Sequence, residues 1–216
     1  MADPINLPDG IRFAASEIYP VNLKSVSKME GRHSEVVEFG QPYWVAKYTT
    51  SPLRRAQVPI LDAWLMRATK AETTFLAYDP TRCRPIKYPN GPLSGTKAIG
   101  GAFDGTANLA LINNSREVVI DGLPDGFQLS EGDYVSFRMS NLIRSLHMID
   151  EDAISNSSGV VTLNLISGLD VQHFTVGAVV DFEKPSCVMR VLGNPRVSRT
   201  WKGQPASFQA EEVFFQ

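Results

Sequence analysis

A mainly β fold is what this sequence predicts: a sheet with one helix laid across it, and a second, small β barrel or sandwich carried as an insertion. Three observations predict it. Runs rich in β-branched and aromatic residues recur along most of the chain, the composition that suits a pleated, half-buried surface. One stretch, Val58 to Ala68, repeats apolar residues at three- and four-residue spacing. From Glu117 onward turn residues return roughly every 8 to 12 positions, the rhythm of a small barrel or sandwich.

Taken in order, Met1 to Asn22 is rich in Pro, Asp and Gly and reads as an arm with one short strand candidate, Ile11 to Ala15. Such termini order only when something holds them. Val21 to Val26 and Ser34 to Phe39 alternate apolar and polar residues around Met29-Glu30-Gly31-Arg32, which predicts a hairpin. Gly40-Gln41-Pro42 leads into the strand YWVAKYTT, which Ser51-Pro52 breaks, because proline lacks the amide donor and keeps its predecessor out of the helical region. Val58, Leu61, Trp64, Leu65 and Ala68 then share one helical stripe, with Asp62, Arg67 and Lys70 off it. TTFLAYD returns to strand composition and Asp79-Pro80 ends it.

Arg82 to Arg116 holds Pro85, Pro89, Asn90, Gly91, Pro92, Gly95, Gly100, Gly101 and Gly105, a density of breakers that predicts no long regular element, with Asn90-Gly91 as a tight hairpin turn. Short strands follow at Glu117 to Ile120, Asp133 to Met139, Ser145 to Ile149, Gly159 to Ile166 and Ala178 to Phe182. Lys184-Pro185 closes that region. Cys187 to Leu192 and Ser207 to Phe214 are strand candidates again, and an exposed strand as aromatic as the last would invite aggregation, so it belongs in the first sheet. The expected division is therefore a discontinuous first domain, 1–90 plus 186–216, with a second domain, 91–185, inserted into it.

The 216 residues are 43% hydrophobic, enough for a substantial core, and carry a formal net charge of −2. That balance lacks the clustered basic excess of a tight nucleic-acid or membrane binder. No run nears the roughly 18 apolar residues of a membrane span, and MADPINLPDG lacks the basic and apolar regions of a secretory signal. The expectation is a chain without membrane insertion, made and kept in the cytoplasm unless an assembly carries it out. Two cysteines, Cys83 and Cys187, read as thiols.

No reactive constellation stands out. His33, His147 and His173 are far apart, and none has a second ligand at metal spacing. His147 with Asp150, Glu151 and Asp152 reads as a polar strand end, since strand residues alternate faces. No Gly-x-Ser-x-Gly elbow is present. GGAFDG lacks the lysine and following helix of a phosphate loop and reads as a turn. Glu211 and Glu212 are adjacent on a strand and face opposite ways, so they are not an acid and base pair. Arg54-Arg55 opposes the dipole at the helix start and reads as a subunit contact or solvated surface. Tyr43, Trp44, Trp64 and Phe75 read as core. No catalytic, cofactor-binding or metal residue is assigned, and an assembly or binding module is expected rather than an enzyme.

The run YWVAKYTTSPLRRAQVPILDAWLMRATKAETTFLAYDP, followed by LPDGFQLSEGDYVSF and EKPSCVMRVL, resembles tail-tip proteins of long-tailed bacteriophages, of the distal tail type. The likeness covers about two thirds of the chain by its order of motifs: a strand ending in Thr-x-Pro-Leu, an Ala-Trp-Leu helix, a Thr-Phe-Leu-Ala-Tyr-Asp-Pro strand and a Leu-x-x-Gly-Asp strand. The glycine-rich segment 91–106 departs from that pattern. The resemblance implies a β-sandwich with one flanking helix and a peripheral second β domain. It also implies a homo-hexameric ring between the tail tube protein and the baseplate hub, a virion location, and transient passage of DNA through the lumen. A near-neutral wall suits such passage, because basic walls would hold phosphates. A carbohydrate-binding module is the alternative reading, with Tyr134, Phe127 and Trp201 as stacking residues.

Overall fold

The computed structural model describes residues 3–28, 34–198 and 203–214. In chain order these begin with β1 (Ile5–Asn6), β2 (Phe13–Val21), β3 (Lys24–Lys28), β4 (Ser34–Glu38), β5 (Tyr43–Thr50), α1 (Gln57–Ala68) and β6 (Phe75–Ala77). Next come β7 (Gly95–Thr96), β8 (Ala102–Phe103), β9 (Thr106–Ile112), β10 (Glu117–Asp121), β11 (Gln128–Leu129), β12 (Tyr134–Arg138) and β13 (Arg144–Met148). The last are β14 (Ala153–Ile154), β15 (Val161–Asn164), β16 (Val179–Asp181), β17 (Cys187–Val191) and β18 (Ser207–Glu212). The fold is mainly β, with one helix among the described residues, the class its composition predicts.

One six-stranded sheet runs β1-β6-β17-β18-β5-β2, antiparallel except for the β1–β6 pair. The aromatic C-terminal strand β18 lies at its centre, between β17 and β5, which removes an apolar edge from solvent. Trp44, Ala46, Tyr48 and Thr50 of β5 are buried in strict alternation with half-buried neighbours. Tyr48 stacks on Phe208 at 5.1 Å, and Trp64 of α1 meets Phe75 at 5.4 Å and Phe208 at 5.3 Å. Each such pair adds about 0.5–1.5 kcal/mol beyond the area it buries.

The helix sits on this sheet because Leu61, Trp64, Leu65 and Ala68 present one buried face. Its first turn has no side-chain cap; instead Gln57 reaches back, accepting from the Arg54 N–H at 2.9 Å and donating to the Gly10 carbonyl at 2.7 Å. Trp64 Nε1 donates to the Asn6 carbonyl at 2.7 Å and so ties α1 to β1.

The other six-stranded sheet runs β13-β12-β16-β9-β10-β15, all antiparallel, around its own apolar cluster of residues such as Leu109, Ile120, Phe137, Leu163 and Phe182. It curls until its edges touch at the single bridge Ile149↔Leu165, flanked by Asp150 N to Asn164 O at 2.8 Å and Ile166 N to Met148 O at 3.0 Å. One bridge does not close a barrel. Tyr134 and Leu146 of this sheet enter the cluster of the first, and Trp44 Nε1 donates to the Leu146 carbonyl at 2.6 Å.

Three expectations are corrected. The N-terminal arm is largely strand: β2 pairs along all of β5, from Phe13↔Thr50 to Val21↔Tyr43, with a bulge between Phe13 and Ala15. Pro20 marks it as an edge strand, where a missing ladder donor is tolerated. Within the breaker-rich segment, Thr106 to Ile112 forms the seven-residue β9, held by β16 and β10 on its two sides; the breakers end at Gly105. Asn90-Gly91 closes no hairpin; the short one there is β7–β8, across Lys97 to Gly101. The hairpin of β3 and β4 is present, with Lys24↔Glu38 and Lys28↔Ser34 as its outer pairs, although its turn residues lie outside the described residues.

Candidate functional site

Two features stand out, one a cleft and one a surface. The cleft, about 320 Å³, lies where the first sheet meets β13 and the segment after β15, with Trp44, Arg144, His147, Phe174 and Glu212 among its walls. Glu212 is on the buried face of β18, in step with Phe208 and Ala210. Its Oε2 accepts from the Trp44 N–H at 2.9 Å, while Oε1 is buried with no partner among the described residues. Burial, opposed only by that one hydrogen bond, pushes its carboxyl up to about 8. At pH 7 it is an uncharged acid.

His147 is buried too. The Ser167 carbonyl, 3.1 Å from Nδ1, can only accept, so Nδ1 holds the proton and Nε2 accepts from Ser145 Oγ at 2.7 Å. Burial pushes the imidazole down to about 4, so it too is neutral at pH 7. The Ser145–His147 contact has the reach of a nucleophile and base pair. Its histidine, however, is oriented by a backbone carbonyl and not by a carboxylate, and an imidazole titrating near 4 is a weak base at neutral pH. Arg144 donates to Ser186 Oγ at 3.1 Å and lies 3.7 Å from Asp181, which also takes Arg138 at 3.3 Å; its Nε is buried without a partner among the described residues. His173 Nδ1 meets Asp170 at 2.7 Å.

The surface feature is the β3–β4 hairpin. Every described residue of both strands is exposed, on both faces, so neither face of the hairpin is covered among the described residues. Its valines are about half exposed, Val26 at 49%, Val36 at 54% and Val37 at 46%, and Phe39 just beyond is at 69%. Tyr19 of β2 is 49% exposed as well, and β2 is the outer strand of the first sheet, with no ladder on its far side among the described residues.

The structure separates most of the residues singled out from sequence. His33 and Trp201 lie outside the described residues. His147 and His173 both line the cleft, whereas Asp150, Glu151 and Asp152 are exposed, and no group of three metal-capable side chains forms among the described residues. Gly100 and Gly101 form the β7–β8 turn, with no helix after it. Arg54 and Arg55 are exposed. Trp44, Trp64 and Phe75 are core and Tyr43 is half-buried. Cys83 and Cys187 are free thiols. Phe127 and Tyr134, proposed as stacking platforms, are instead 3% and 6% exposed; Phe127 stacks on Tyr88 at 4.6 Å, and Tyr134 lies edge-on to Trp44 under the Arg82 guanidinium. Their rings are consumed by packing.

Sequence reasoning missed Glu212 as a site residue. The signal was there: in FQAEE the apolar face runs Phe208, Ala210, Glu212, which puts a carboxyl on the core side. Ser145 carried a signal as well, since it stands two residues before His147 on one strand and so shares its face, whereas Ser167, brought in by the segment after β15, had none. A larger groove of about 570 Å³ lies beside α1, lined by residues that include Leu53, Val58, Met66, Ser198 and Gly203. No helix among the described residues is long and apolar enough to cross a membrane.

No protein-family model matches this sequence, and comparison with curated proteins yields no match.

Proposed function

We propose that this chain is a structural subunit of a phage tail tip, of the distal tail type, that closes with copies of itself into a ring joining tail tube to baseplate around the DNA channel. In this reading 1–90 and 186–216 form the ring and 91–185 is a peripheral insertion. The observation that carries it is the β3–β4 hairpin. A lone two-stranded ribbon is marginal in water, and one with Val26, Val36, Val37 and Phe39 exposed gains its stability by lying against another surface. A neighbouring copy supplies that surface at no cost in specificity, and heterologous contacts that close into a ring also cover the open β2 edge. A net charge of −2 suits a lumen through which DNA slides.

Mass photometry and negative-stain imaging of the purified full chain test this. Rings with a central hole are expected, and replacing Val36 and Val37 together with Lys disperses them to monomers that keep their thermal transition. A wild-type monomer at micromolar concentration, with no ring in the images, refutes the reading.

A further inference from the structure

The cleft between the sheets is not needed to build a ring, yet it is equipped as a binding pocket. Two buried polar atoms among its walls, Glu212 Oε1 and Arg144 Nε, have no partner among the described residues. Native interiors pair nearly all such atoms, and two orphans around one cavity mark a place where something else completes them. We propose that this cleft binds a single neutral sugar ring, whose hydroxyls pair with Glu212, Arg144, Ser145 and Ser167 and whose apolar face lies against Phe214.

The chemistry of the walls selects that class. At neutral pH the deep groups are a carboxylic acid, a neutral imidazole and hydroxyls, and hydroxyl ligands both donate and accept as this mixed set requires. Asp170 opposes an anion and Arg144 opposes a cation, which leaves a neutral ligand. Trp44 and Phe174, 4% and 5% exposed, wall the cleft, and Phe214, 61% exposed, adds an aromatic surface open to a ligand. The volume of about 320 Å³ is near the bottom of the range for ligand pockets, which suits one ring and not an oligomer.

Saturation-transfer NMR on the full chain, with glucose, galactose, mannose and N-acetylglucosamine offered singly at millimolar concentration, tests the proposal. At least one is expected to bind with a Kd of about 1 mM. Glu212→Leu should weaken it about tenfold, with thermal unfolding as the check on folding. Phe214→Ala, at an exposed position that leaves the fold intact, should weaken it about threefold. Silence from all four sugars overturns the proposal. So does binding that survives both substitutions, or tighter binding of acetate or methylammonium in the same titration. Each of these results is independent of whether rings form.

Discussion

Glu212→Gln is expected to stabilise this protein, by an amount that grows with pH. The amide keeps the shape and the acceptor for the Trp44 N–H but cannot ionise. In the wild type the folded carboxyl titrates at about 8 and the unfolded one at the ordinary 4.5. Between those values the folded state holds a proton that the unfolded chain has released. The stability tied to this carboxyl is therefore fully present below about pH 4.5 and is lost as pH rises through 8. At about 1.36 kcal/mol per pH unit the whole loss is roughly 5 kcal/mol, of which about 3 kcal/mol has accrued by pH 7. Urea unfolding followed by tryptophan fluorescence, for both proteins from pH 4.5 to 9, reads the difference directly, since every other titrating group is shared. A wild-type-to-variant gap that stays constant with pH refutes the assignment of a buried, proton-holding carboxyl.

His147 acts in the opposite sense: neutral when folded down to about pH 4, it contributes roughly 3 kcal/mol that is present above the unfolded value of 6.5 and is lost as pH falls to 4. The two slopes cancel between about pH 4.5 and 6.5, so wild-type stability should be level there and decline toward pH 8, whereas Glu212→Gln should rise to pH 6.5 and then level off. Gly159→Ala should cost at least about 2 kcal/mol in urea unfolding, because Gly159 has φ +71° and an added Cβ meets the Leu123 carbonyl oxygen. Gly177→Ala, at φ +91° with open space around it, should cost only about 1 kcal/mol by the same measurement. Trp64→Ala should cost about 3–5 kcal/mol, since it empties the centre of the ring cluster and leaves the Asn6 carbonyl without its donor.

Local pattern made the helix and the strands legible where burial is one-sided. The stripe Leu61, Trp64, Leu65 and Ala68 and the alternation through β5 both announce a single buried face, and each element is found where that face predicts it. The strand β2 was legible only at its start, within the candidate Ile11 to Ala15, because what holds Phe13 to Val21 is a ladder to β5, and pairing between distant segments leaves little trace in the weaker partner. The central β9 was masked by the glycines before it. The cleft was legible only in part: its histidine could be named but not its surroundings, which are assembled from β5, β13, β18 and the segment after β15. Phe127 and Tyr134 show the converse failure, since an aromatic near a turn reads the same whether it faces a ligand or a core.

The backbone enters the second sheet through residues 79–93 and leaves it at 183–186, and these two crossings are tied together. Lys184 N donates to the Cys83 carbonyl at 2.7 Å, and Arg84 grips Glu183 at 2.6 Å while Glu183 also accepts from the Leu93 N–H. A segment whose inbound and outbound ends run side by side makes small demands on its host. A module with neighbouring termini fits between them with β6 and β17 still in register only if it also fills the places of Tyr134 and Leu146 in the first core and offers Trp44 Nε1 an acceptor. The closeness of the two crossings thus eases an exchange of the intervening sheet, and the core residues that this sheet lends to the first set the condition on what can replace it.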